Sequence, residues 1–115
     1  KDKYFMGFPK PKVILLEDVT TTGASLIKEF NKLSEAHIPI LAAISLTNRM
    51  ERRDDGFSAQ EAIEKKEVPY HAMSNALELL PEAYKRLKPN HEIAKAIEEE
   101  FVRYGLEKLI LRRLQ

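Results

Sequence analysis

Apolar residues along this chain fall into two alternating rhythms. Lys12 to Glu17 carries Val-Ile-Leu-Leu without a break, behind Pro9 and Pro11, which is the pattern of a short buried parallel strand. Gly23 closes a turn, and from Ala24 to Glu35 the positions Leu26, Ile27, Phe30 and Leu33 recur at helical spacing. Pro39 opens a second, nearly all-apolar strand from Ile40 to Leu46, and the stretch Asn48 to Gly56 is too polar to be core. Ser58 stands three residues before Glu61, the spacing of a capping box, and predicts a short helix to about Lys66. Val68 to Met73 predicts a third strand. Ser74 or Asn75 then begins a segment reaching about Leu87, which Pro81 divides into a turn and a helix with the proline in its first turn. Asn90 caps a helix from Glu92 to Tyr104, ended by Gly105 at the C′ position. Leu106, Leu109, Ile110 and Leu114 share one helical face and predict a terminal helix that needs a surface to pack on. Phe30, Phe57 and Phe101 are core candidates.

Strand and helix in turn is the order of an α/β domain with a parallel sheet. Three strands make a thin sheet with open edges, so the pattern predicts further chain upstream or a partner that completes it. The chain has 115 residues, room for one domain, and opens Lys-Asp-Lys. The expected organisation is a single domain over residues 1–115, a C-terminal portion of something longer, with 88–115 as a helical extension. Composition narrows the partners. Net charge is +1, from 19 basic and 18 acidic residues, so no overall field draws the molecule to nucleic acid or an anionic membrane. No cysteine is present, which excludes disulfides and thiolate metal sites and fits a reducing, cytoplasmic setting. No apolar run approaches a membrane span. His37, His71 and His91 show no ligand spacing, and no protein metal ligand is expected.

The chemistry concentrates in VILLEDVTTTGASLI, residues 13 to 27. In an open α/β sheet, ligands bind beyond the carboxyl ends of the strands, and Glu17 and Asp18 fall there. Adjacent carboxylates repel unless something polar or cationic lies against them, and a vicinal diol offers two donors to two acceptors. Thr20 to Ser25 supplies hydroxyls and backbone N–H groups where a helix begins, a place that favours phosphate. The same residues are expected to cap that helix. A diol binder beside a phosphate cradle describes a ribose 5-phosphate moiety. No lysine follows the glycine as in a nucleoside-triphosphate loop, and no dinucleotide fingerprint is present.

VILLEDVTTTGAS resembles the phosphoribosyl-pyrophosphate (PRPP) motif of type I phosphoribosyltransferases: four apolar residues, two acids, a Thr/Gly turn and a hydroxyl. It departs at Thr20, where many members carry an aliphatic residue. Residues 44 to 80 resemble the stretch that follows the motif in orotate phosphoribosyltransferases, with Asn48-Arg49-Met50-Glu51-Arg52 in place of an Asp-Arg-Gln-Glu-like segment. The likeness spans about residues 12 to 87 and the later half of the family's usual length. It implies a partial Rossmann-like phosphoribosyltransferase fold with C-terminal helices. It also implies PRPP binding by Glu17, Asp18, Val19, Thr20, Thr21, Thr22, Gly23, Ala24 and Ser25, with Glu17 and Asp18 catalytic. Orotate would meet Thr21 and Arg49, whose planar fork suits a planar anion. The implied reaction moves ribose 5-phosphate from PRPP to orotate, giving orotidine 5′-monophosphate and pyrophosphate, with Mg²⁺ carried mainly on PRPP, in pyrimidine biosynthesis. A homodimer is expected, and no nucleic acid or membrane partner.

The family's upstream pyrophosphate loop and basic catalytic loop have no counterpart in the sequence, unless Lys1-Asp2-Lys3 is the end of the latter. Two rival readings stand beside the enzyme. A purine-type phosphoribosyltransferase is opposed by Arg49 and its basic neighbours, and a non-catalytic PRPP-sensing module by the lack of a helix-turn-helix or basic stripe.

Overall fold

A computed structural model describes residues 12–112. The elements are β1 (Val13–Thr20), α1 (Ala24–Glu35), β2 (Ile40–Asn48), α2 (Ala59–Glu64), β3 (Tyr70–Asn75), α3 (Ala76–Leu87) and α4 (His91–Tyr104). The strands form one parallel sheet in the order β1-β2-β3, the α/β arrangement that the sequence pattern predicts. Expectations placed on Lys1 to Lys3, Pro9, Pro11 and Leu114 fall outside the described residues.

The sheet is covered on one face. Leu26 of α1 and Ile63 of α2 pack over Ala43 of β2 and Tyr70 of β3, with Val68 beneath and Leu15, Ile27, Phe30 and Ile40 around them. The hydroxyl of Tyr70 reaches Ser45 Oγ at 2.6 Å, so this core leaves neither hydroxyl without a partner. On the opposite face Ile14, Leu16, Leu46 and Met73 stand open, Leu16 at 76% and Met73 at 74% exposure. The continuous apolar run of β1 reads as burial on both sides; among the described residues one side is covered.

All three strands outrun their expected ends because pairing carries polar residues into the ladder. β1 continues past Glu17 through Val19↔Thr47 and Thr20↔Asn48, and β2 reaches Asn48 by the same pairs. β3 begins at Tyr70, with Val68 a buried loop residue, and its Ser74 hydroxyl bonds Thr47 Oγ1 at 2.8 Å.

The second cluster lies between α3, α4 and the residues after them: Tyr84, Ala94, Phe101, Leu109 and Leu111. Here three expectations need correction. First, α3 is unbroken, with Pro81 inside it. Asn75 starts the helix by accepting the Glu78 N–H at 3.1 Å, so the proline falls in the second turn and removes one intrahelical bond there. Second, Gly105 is extended (φ −76°, ψ 155°); its need is for room, since a Cβ would lie 2.6 Å from Phe101 Cδ1. Third, residues 106–111 are not helical. Leu109 and Leu111 are buried and Ile110 exposed, an alternation that only an extended strand of chain produces. Phe57 also leaves the core: it is exposed, with the Lys65 ammonium 3.3 Å above its ring.

Glu98 explains the extended tail. Its buried carboxylate accepts the N–H groups of Leu111 (2.6 Å) and Arg112 (3.0 Å) and the Arg112 Nε–H (2.6 Å). Amides held by a side chain 13 and 14 residues back are lost to a helix ladder. Burial disfavours the charged carboxylate, but the Arg112 and Leu111 amides and the guanidinium outweigh it and hold its pKa below the usual range. A depressed carboxylate pKa stabilises the fold at pH values above the ordinary glutamate range, and that contribution disappears as pH falls through the folded-state value. Glu98→Ala is expected to cost about 2 kcal/mol in urea unfolding at neutral pH, with the difference from wild type shrinking in acid. Equal stability of the two proteins at pH 7 would overturn this account.

Candidate functional site

β1 delivers the chain to the carboxyl edge of the sheet at Thr20; Thr21 and Thr22 turn, and Gly23 begins α1. Gly23 adopts φ +81°, a left-handed conformation that L side chains rarely take, and its Cα faces α2, with Ala59 Cβ and Ile63 Cδ1 each 3.4 Å from where a Cβ would stand. The Ile27 N–H bonds Gly23 O at 2.9 Å and starts the helical ladder. Ahead of it, the expected hydroxyl cap is missing: α1 has no side-chain N-cap bond and no acidic residue in its first turn. The Ala24 N–H meets Thr22 Oγ1 only at a long 3.4 Å. The helix start therefore presents unsatisfied amides and its positive dipole end.

A pocket of about 100 Å³ sits against that start, lined by Glu17 and by Val19 through Leu26. Of the residues that the sequence singles out for PRPP, it gathers Glu17, Val19, Thr20, Thr21, Thr22, Gly23, Ala24 and Ser25. Asp18 is not among the lining residues. Because β1 runs on to Thr20, Glu17 and Asp18 are consecutive strand residues, and their carboxyl groups lie close enough to interact directly. The half-buried Glu17 carboxyl has a raised pKa, first through burial and then through the neighbouring Asp18 carboxylate. Asp18 is exposed, and its Oδ1 accepts the Val19 N–H at 2.7 Å.

Thr20 is 2% exposed, and its Oγ1 has no hydrogen-bond partner. A threonine in that place leaves a hydroxyl desolvated where an aliphatic side chain would not.

Arg49 leaves the sheet edge next door. Its N–H donates to Thr20 O at 2.8 Å, which ties the start of its loop to the end of β1. The side chain is half-exposed and forms an ion pair with Glu51 Oε2 at 3.1 Å, without hydrogen-bond alignment. It stands at the rim of a separate, mostly apolar cavity of about 540 Å³ between the end of β2, α3 and α4, so the structure does not place it in the Glu17 pocket. Asn48 is buried and accepts the Met50 N–H at 2.8 Å.

Two arginines of the charged stretch have structural roles that its polarity hid. Arg52 donates to the carbonyls of Gly105 (3.2 Å) and Arg103 (3.1 Å), and its N–H to Tyr104 O, which pins the end of α4 beside the Arg49 loop. Arg53 Nη1 donates to the Thr22 carbonyl. Its Nε meets Asp55 at 3.2 Å, within a tight turn closed by the Gly56 and Phe57 amides. Asp55 has a lowered pKa, chiefly from the Phe57 N–H and then from Arg53. The Asp55-Gly56 turn is the sequence signal that could have separated Arg53 from a solvated loop.

Comparison with solved structures gives the architecture a relative. The chain is similar to an orotate phosphoribosyltransferase of Francisella tularensis, at TM-score 0.59 and 26% identity over 82% of this chain and 46% of that one. It is also similar to the Mycobacterium tuberculosis H37Rv orotate phosphoribosyltransferase solved in complex with PRPP, at TM-score 0.50 and 22% identity over 59% of this chain and 37% of that one. A phosphoribosyltransferase from Corynebacterium diphtheriae aligns at TM-score 0.48 and 25% identity over 56% of this chain and 34% of that one. No protein-family model and no curated protein matches the sequence. The chain thus has the phosphoribosyltransferase fold in part, spanning less than half the length of these structures.

Thr20→Val is expected to raise stability by about 1 kcal/mol in urea unfolding, by removing a buried unpaired hydroxyl at constant shape. A loss of stability would show that the hydroxyl does have a partner in solution.

Proposed function

We propose that this chain, which carries part of a phosphoribosyltransferase fold, is the PRPP-binding portion of an orotate phosphoribosyltransferase. The observation that carries the reading is the uncapped start of α1 beside Glu17, at the carboxyl edge of a parallel sheet. The 5-phosphate of PRPP accepts from the α1 amides and the Thr21, Thr22 and Ser25 hydroxyls. Glu17 accepts from one ribose hydroxyl, and the neighbouring Asp18 takes the other. The orotate phosphoribosyltransferase that shares the fold at 26% identity supports the choice of acceptor.

The reaction follows from that placement. Orotate N1, having given up its proton, forms a bond to the ribose C1, and the C1–O bond to pyrophosphate breaks with the electron pair leaving on oxygen. Positive charge grows on the ribose as that bond lengthens, and the Glu17 and Asp18 carboxylates favour it while fixing the ring. Mg²⁺ would be carried on the diphosphate of PRPP, chiefly by the substrate's own oxygens and water, and when bound it would neutralise the leaving group. Arg49 exchanges its contact with Glu51 for the carboxylate of orotate, with Thr21 adjacent. The pyrophosphate loop and the basic loop belong, in this reading, to the part of the fold that the chain does not span. The open face with Leu16 and Met73 is where that part packs. A cytoplasmic homodimer working in pyrimidine biosynthesis belongs to the same proposal.

Glu17→Gln and Asp18→Asn are each expected to weaken Mg²⁺–PRPP binding about tenfold in isothermal titration, the loss of a charge-assisted hydrogen bond. Wild-type affinity should fall as pH drops through the raised Glu17 pKa, and Glu17→Gln should flatten that dependence. Unchanged affinity in both variants would sink the assignment. Arg49→Ala is expected to weaken orotate binding about tenfold in the presence of PRPP while leaving PRPP affinity in place. Equal losses for both ligands would take Arg49 out of the acceptor site.

A further inference from the structure

The Thr22–Gly23 peptide sits between two environments. Its carbonyl is held by Arg53 Nη1, on the side where Arg53, Asp55 and Phe57 gather against α1 and α2. Its other side belongs to the small pocket, whose lining includes Gly23 and does not include Arg53. In a planar trans peptide the carbonyl and the following N–H point in opposite directions, and none of the described peptide bonds is cis. With the Thr22 carbonyl fixed on the Arg53 side, the Gly23 N–H is turned towards the pocket.

A residue with φ +81° on the C-terminal side of that peptide makes the orientation a matter of choice, because glycine tolerates either setting of the plane. Something must hold it. Arg53 is suited to do so, because its side chain is 22% exposed and Asp55 grips Nε through both carboxylate oxygens, at 3.2 and 3.3 Å. Asp55 is itself fixed by the Phe57 N–H at 3.0 Å, and the turn by Arg53 N–H to Phe57 O at 2.9 Å. The fork leaves Nη1 aimed at one carbonyl.

We infer that Arg53, oriented by Asp55, is a positioning residue that sets the Thr22–Gly23 peptide so that the Gly23 N–H joins the α1 amides in binding a phosphate monoester. It touches no substrate and acts through the backbone. The inference rests on the reading of the pocket as a phosphate site, and adds that the cradle has an amide whose direction is imposed from the opposite side of the loop.

The test is a titration of the ¹⁵N-labelled chain with ribose 5-phosphate, following the Gly23, Ser25 and Leu26 amides by NMR. In wild type all three are expected to shift. In Arg53→Ala the Gly23 response should be lost while Ser25 and Leu26 still respond, and affinity should drop about tenfold, the value of one amide to a charged acceptor. Arg53→Lys keeps a donor for the Thr22 carbonyl and should restore the Gly23 response, which a general loss of stability would not. Asp55→Asn serves the same purpose should Arg53→Ala fail to fold, and is expected to diminish the Gly23 shift selectively. If Ser25 and Leu26 respond in wild type and Gly23 does not, or if the variants match wild type at Gly23, the positioning role is wrong and the phosphate site stands. If no amide responds in wild type, the phosphate site fails and the role of Arg53 falls with it.

Discussion

The parallel pairing of β1 with β2 is the constraint on which the rest depends. It does not stop where the apolar residues stop. Backbone bonds carry both strands through Thr20↔Asn48, and the Arg49 N–H adds one more contact to Thr20 O beyond the last pair. Two loops with different chemistry, one of threonines and glycine and one of alternating charge, therefore leave the sheet side by side. Strand register brings them together, and the Arg53 hydrogen bond to the Thr22 carbonyl then holds them. Every property of the pocket, including the helix dipole aimed into it, follows from where that register ends.

The two acids sit at the end of that register. Glu17 lines the pocket at the helix start, and the exposed Asp18 beside it is not among the lining residues. Burial, together with the neighbouring Asp18 carboxyl, raises the Glu17 pKa. A contact between two carboxyls favours donors such as hydroxyls placed against them.

Below the sheet edge the molecule is held by arginines and one glutamate acting on backbone groups. Arg52 fastens the end of α4, Arg53 the threonine loop, and Glu98 the tail. Each supplies donors or acceptors to main-chain groups that no helix or sheet satisfies, and each is partnered well enough to be useful in a partly buried place. The second apolar cluster, with Phe101 and Leu111, is distinct from the sheet core, and Arg52 ties the end of α4 beside it to the loop after β2.

How much of this was legible beforehand differs from element to element. The α/β order, α1, the Ser58 capping box and the Asn90 cap are written in periodicity and in local hydrogen-bonding residues, so they could be read from the chain. The turn at Gly23 could be read as well, because glycine before a helix carries its meaning locally. Strand ends and the bare face bearing Leu16 were decided by pairing across the sheet, which no stretch of sequence contains. The tail shows the limit most clearly. Leu106, Leu109 and Ile110 have helical spacing, yet the buried Glu98 takes the amides of Leu111 and Arg112 and leaves the chain extended. Spacing fixed by neighbours along the chain was set by the sequence alone. Wherever a distant partner claimed a backbone group, the tertiary structure chose, since an unpaired amide in the interior costs more than a local preference can supply.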